Sequence, residues 1–179
     1  MRFKKTRRGI EASPDEVETT VLRSCATDLL VLLGGEPEAS DDPLEALLGM
    51  PGGEAVRPED PALVRLLPDA YGDDDPAASA DFRRYTEGDL RAGKRAGCTV
   101  VLATLPATAG LVRLDREQAL AWLGCLNDLR LVLGTRLGVE DDGDAGELDP
   151  DDPRTPSLQV YGWLGWLQES LLGCLDPRG

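Results

Sequence analysis

A chain of 179 residues, 41% apolar and 29% charged, is sized for one globular domain, and its formal charge of −14 sets the body against binding a polyanion. The absence of histidine removes Ser-His and Cys-His catalytic pairs and narrows any structural zinc site to four thiolates, while no segment reaches the ~18 apolar residues of a membrane span. No GxSxG elbow, Walker loop or dinucleotide glycine fingerprint occurs, so the expectation is a non-enzymatic protein without a cofactor.

The charge is uneven from the start. Arg2, Lys4, Lys5, Arg7 and Arg8 crowd the first eight residues with no acid among them, leaving the remainder more acidic still. Gly9 to Asp15 do not supply the apolar run that follows such cations in a secretory leader, so a cytoplasmic location is expected. Residues 1–12 are read as a basic N-terminal arm and 13–179 as a single helical domain. Helix starts carry a recurrent signature, a capping side chain followed by proline, whose fixed φ and missing N–H suit the first helical position. It recurs at Ser13-Pro14, Asp42-Pro43, Asp60-Pro61, Asp75-Pro76 and Thr155-Pro156; Ser13 with Glu16, and Asp115 with Gln118, have capping-box spacing.

In chain order this predicts helices over 13–33, stopped by Gly34-Gly35, and over 43–48 and 61–67. A long helix over 76–105 is stopped by Pro106, and Gly88, Gly93 and Gly97 within it predict close packing or a break. Residues 111–114 are an extended piece that could pair with 8–11, and helices over 115–137 and 156–175 complete the set. The fold class is mainly α, a compact multi-helix domain with at most a short two-stranded β element. Between the last two helices, 138–155 is an acidic loop whose carboxylates fall out of EF-hand register around Gly143, so a solvated linker is expected.

Three surfaces carry candidate function. The final helix aligns Leu164, Leu167, Leu171 and Cys174 as one stripe, with Trp163 and Trp166 to one side. Its apolar arc is too wide for one-sided burial, which marks a core helix whose flank at Trp163 and Trp166 is a candidate dimer seam. Helix 115–137 is as broad, with Trp122, Leu126, Leu129, Leu133 and Leu137 on its main face and Arg130 beside it in need of a partner. The long helix aligns Arg84, Arg91 and Arg95, which with the arm are candidate partner-binding groups; the competing reading is a solvated face paired with local acids. Cys25, Cys98, Cys125 and Cys174 lie far apart without a CxxC pair and read as reduced, mostly buried thiols.

The blocks RLLPDAY, DFRRYTEGDLRAGK, VRLD, AWLGCLNDLRLVLGTRLG and VYGWLGWLQESL, in this order between residues 60 and 175, resemble the actinobacterial AosR-type oxidative-stress transcriptional regulators. That family was long catalogued as a domain of unknown function and is encoded beside the Clp protease adaptor. The resemblance implies a cytosolic, non-enzymatic regulator that responds to oxidants and acts on transcription through protein contacts with a sigma factor or RNA polymerase. The alternatives are a helical DNA-binding module with the extended pieces as a wing, or an adaptor linked to Clp proteolysis. The family's redox switch is a close cysteine pair separated by three residues, and this chain has none. A local switch here would bring two distant cysteines together or bond two protomers. Cys98 and Cys125 are singled out as the candidate redox pair because they fall on two helices expected to pack.

Overall fold

The computed structural model describes residues 1–34, 58–68, 76–139 and 149–176, without the side chains of 76–81. In chain order the elements are β1 (Lys4–Thr6), β2 (Gly9–Ala12), α1 (Glu16–Leu33), α2 (Pro61–Leu66), α3 (Pro76–Thr104), β3 (Val112–Leu114), α4 (Arg116–Leu137) and α5 (Thr155–Leu175). The predicted helix over 43–48 and the middle of the acidic loop lie outside the described residues. Helix α4 is the centre, packed by α1, α2, α3, α5 and the sheet. Its apolar arc is wide because neighbours approach from several sides: Ala119, Trp122, Cys125, Leu126 and Leu129 are all buried. Helix α5 buries the expected stripe of Leu164, Leu167, Leu171 and Cys174.

Local chemistry fixes the helix ends. Asp115 and Gln118 form a reciprocal capping box at the start of α4, and Gly138, in the left-handed conformation at φ 69°, ends it. Helix α1 starts two residues later than its sequence signature, on an Asp15–Glu18 box. The Pro14 carbonyl explains the delay, since it accepts the Gly110 N–H at 3.2 Å and ties the entry of α1 to the segment leading into β3. Helix α3 runs unbroken through its glycines. Gly97 is the point of close approach, where a Cβ would lie 3.4 Å from the Ala121 carbonyl oxygen of α4.

The β element has three strands rather than the two expected, in the order β1-β2-β3, all antiparallel. Pairing of Ile10 with Leu114 and Glu11 with Arg113 joins β2 to β3, close to the two segments expected to pair. The added strand is the basic arm itself. Lys4, Lys5 and Thr6 are all exposed, so β1 has no apolar alternation to betray it. Its anchor is Phe3, buried edge-on against the Trp122 ring at 5.5 Å and 80°. Residues 1–12 are thus an integral hairpin of the domain.

Arginines from neighbouring helices close the carboxyl ends of α1 and α3, neither of which has a basic residue in its own last turn. Arg23 of α1 donates to the carbonyls of Leu102, Leu105 and Pro106 at 3.4, 2.9 and 3.3 Å. Arg91 and Arg95 of α3 donate to Leu33 at 2.8 Å, to Leu30 at 3.2 Å and to Gly34 at the end of α1. Each guanidinium meets orphan carbonyls at the negative end of a helix dipole.

Two glycines separate strain from propensity. Gly9 sits at φ 119° with its Cβ position 2.5 Å from the Leu114 carbonyl oxygen, whereas Gly162, within α5, has nothing within 4 Å. Gly9→Ala should therefore lower stability in urea unfolding by about 1–3 kcal/mol or more. Gly162→Ala should raise it by roughly 0.5–1 kcal/mol through helix propensity.

Candidate functional site

The near contact at Gly97 sets the neighbouring side chains of α3 and α4 face to face. One residue on, Cys98 meets Cys125 with the two sulfurs 3.6 Å apart and Cys125 donating its S–H. Both side chains are buried and neither is in a disulfide. A disulfide needs ~2.05 Å between sulfurs, so a two-electron oxidant together with a modest closure of the two helices would bond them. The two thiols ionise as one unit. The S–H of Cys125 donates to Cys98 and holds that thiol below the ordinary range. The same bond, with burial and the neighbouring sulfur's charge, pushes Cys125 far up. One proton leaves the pair readily and the second does not.

One helical turn away, Lys94 Nζ meets Asp128 Oδ1 at 2.6 Å. Lys94 lies four residues before Cys98 and Asp128 three after Cys125, so the ion pair and the dithiol are adjacent rungs between the same helices. Asp128 is only 5% exposed. Burial raises its carboxyl above the ordinary range and Lys94 pulls against that shift. Its charge also disfavours a thiolate on either cysteine. Over these rungs lies a groove of about 590 Å³, walled by Gly93, Ala96, Gly97 and Val100 of α3 and by Leu120, Ala121 and Gly124 of α4, with Cys125 and the ion pair in its lining.

The other candidate groups divide by position. Arg2, Lys4, Lys5, Arg7 and Arg8 are exposed. They stand on a pinned hairpin, because the Thr6 hydroxyl accepts the Arg8 N–H at 3.1 Å and donates to the Gly9 carbonyl at 3.0 Å. The stripe on α3 differs. Arg91 and Arg95 spend their donors on α1, Arg91 also pairs with Glu87 at 2.7 Å, and Arg84 is half-buried. Trp163 packs half-buried against the core and Trp166 is 44% exposed. Arg130 finds its partners in Gln168 at 3.0 Å, the Tyr161 hydroxyl at 3.3 Å and the Tyr161 ring, 5.0 Å from its centroid.

The sequence reading named the two cysteines and missed Lys94–Asp128. Its signal was present as turn spacing: once Cys98 faces Cys125, residues 94 and 128 must face each other too. Among the described residues no group of three metal-ligating side chains gathers, and no helix is long and apolar enough to cross a membrane.

A central helix pair carrying a reduced dithiol, beside a small sheet that presents a basic hairpin, defines a thiol-bearing helical domain. The family model described as a domain of unknown function, DUF2017, matches residues 1–175, and the chain belongs to that family. Its curated relatives include the oxidative stress regulator AosR of Mycobacterium tuberculosis and of Mycobacterium bovis, each 36% identical over 168 residues, covering 87% of this chain and 77% of theirs. A Mycobacterium leprae protein under the AosR name is 39% identical over 169 residues, with the same coverage. No solved structure matches the chain. The relatives' names support a regulatory role in oxidative stress.

Asp128 makes a titration prediction. Its folded-state carboxyl holds a proton more tightly than the unfolded one, so protonation favours the native state. Stability contributed by this group is absent above its raised pKa and grows as pH falls from there to the ordinary carboxylate range. The difference in unfolding free energy between the wild type and Asp128→Asn should therefore move in favour of the wild type on acidification across that window, measured by urea unfolding at a series of pH values. The opposite slope would mean that Lys94 outweighs burial.

Proposed function

We propose that this protein is a non-enzymatic, cytoplasmic oxidative stress regulator that reads oxidants through the Cys98–Cys125 dithiol and acts on transcription through contacts with a sigma factor or RNA polymerase. The observation that carries the reading is the 3.6 Å separation of two buried thiols on facing helices. Two cysteines 27 positions apart supply what a close pair would supply, two electrons and one bond. A reducing compartment keeps such a pair as thiols until oxidant arrives.

The output surface in this proposal is the basic hairpin. It is anchored by Phe3 on Trp122, which sits one turn before Cys125, so helix α4 joins the dithiol to the surface. Exposed cations fixed on a strand pair suit an acidic protein face, with attraction that falls as salt rises. A DNA backbone is a poorer match, since Arg91, Arg95 and Lys94 are engaged inside the fold and the chain carries a formal charge of −14.

The test is capture from an actinobacterial lysate at graded salt, before and after peroxide, with disulfide mapping of the bait. A Cys98–Cys125 link should form on oxidation, and sigma factor or polymerase subunits should be retained in a salt-sensitive manner. Arg7→Glu with Arg8→Glu should remove that retention, and Cys125→Ser should make it indifferent to peroxide. Four cysteines left reduced by peroxide, or recovery of Clp components alone, would overturn the reading.

A further inference from the structure

We propose that the groove between α3 and α4 is a binding site for organic hydroperoxides, seating the O–O bond against Cys125. The inference rests on the dithiol reading above and names its oxidant. Three features of the groove carry it. Cys125, 2% exposed, belongs to its lining, whereas Cys98, fully buried, does not, so of the two thiols Cys125 is the one a ligand in the groove adjoins. Its volume of about 590 Å³ suits a small organic molecule and far exceeds what hydrogen peroxide needs. Its middle is apolar, formed by Ala96, Val100, Leu120 and Ala121 with Leu120 left 50% exposed, between Glu117 and Gln118 at one end and the Lys94–Asp128 pair with Asn127 at the other. An apolar body carrying a polar hydroperoxide group matches that lining.

The chemistry balances without histidine. The singly ionised pair keeps one proton between its two sulfurs. The Cys125 S–H first passes its proton to Cys98 along the 3.6 Å S–H···S contact, and Cys125 then attacks the distal oxygen of the hydroperoxide as the thiolate, breaking the O–O bond. The departing alkoxide takes the retained proton from Cys98 and leaves as the alcohol. Cys125 is now a sulfenic acid and Cys98 a thiolate. Cys98 attacks the Cys125 sulfur, the S–O bond breaks, hydroxide departs, and the disulfide is complete. Two thiols lose two electrons, and the hydroperoxide is reduced to alcohol and hydroxide.

Glycines provide the test. Added Cβ atoms at Gly93 and Gly124 meet nothing within 4 Å, so leucine at either position projects into the groove while improving helix propensity. The rate of disulfide formation in the full chain is measured with cumene hydroperoxide and with hydrogen peroxide, by rapid quench and thiol labelling. The wild type should favour cumene hydroperoxide, and Gly124→Leu or Gly93→Leu should lower the ratio of the two rate constants by about tenfold. Gly162→Leu, on α5 and outside the groove, should leave the ratio unchanged. Equal wild-type rates, or a ratio indifferent to the groove variants, would overturn the proposal while dithiol sensing stands. Failure of both peroxides to oxidise the pair would remove the sensing reading and this proposal together.

Discussion

The domain depends on how closely α3 can approach α4 at Gly97. A Cβ there would already touch the Ala121 carbonyl oxygen at 3.4 Å, so the two backbones stand at contact distance. They stay together, and everything chemically distinctive follows within two turns: Cys98 against Cys125, Lys94 against Asp128, and the Trp122 indole N–H on the Thr104 hydroxyl at 2.8 Å. These are successive rungs of one antiparallel ladder, so a shift at one is felt at the others. Close-packed interiors do not deform smoothly; they change by discrete repacking.

Electrostatics divide the positive charge into two populations. One works inside the fold: Arg23, Arg91 and Arg95 close helix ends, and Lys94 offsets a buried carboxylate. The other stands on the hairpin with side chains in water. In a chain of formal charge −14 this second group gathers five cations within eight residues that contain no acid. The arrangement of the charge, and not its amount alone, sets the hairpin apart from the rest of the chain.

Much of this was legible in the sequence because it is local. Capping boxes, proline at first helical positions and glycine stops depend on a few adjacent residues, and the helices from Pro61, Pro76, Arg116 and Thr155 begin at or beside their signatures. The wide apolar arc of α4 correctly marked a central helix, whereas α5 packs chiefly on α4 and β1 and leaves Trp166 and Leu172 about half exposed. What escaped was non-local. Strand β1 is held by a partner strand and by one aromatic contact, and its own residues, all exposed, read as a solvated arm. The arginines of α3 looked like a surface stripe because their acceptors are carbonyls of α1, which no side-chain pattern reveals. The cysteine pair was reachable through the expected packing of two helices, whereas the ion pair beside it required the register of that packing.

The hairpin and the dithiol are chemically unlike, yet the structure leaves them mechanically joined. Phe3 is the buried foot of the hairpin, it meets Trp122 edge-on, and Trp122 is fully buried on the same helix as Cys125, one turn away. An edge-to-face aromatic pair contributes about 0.5–1.5 kcal/mol beyond the area it buries, and only while its geometry holds. Drawing Cys125 toward Cys98 moves the turn of α4 that carries this ring. The ring cannot yield freely, because its indole nitrogen is tied to α3 through Thr104. On its own side Phe3 is held by the ring contact, by a 3.4 Å hydrogen bond to the Ser170 hydroxyl and by nearby Met1, whose ammonium pairs with Glu18 of α1. The Phe3–Trp122 contact is therefore where the helix of the thiols meets the foot of the basic hairpin.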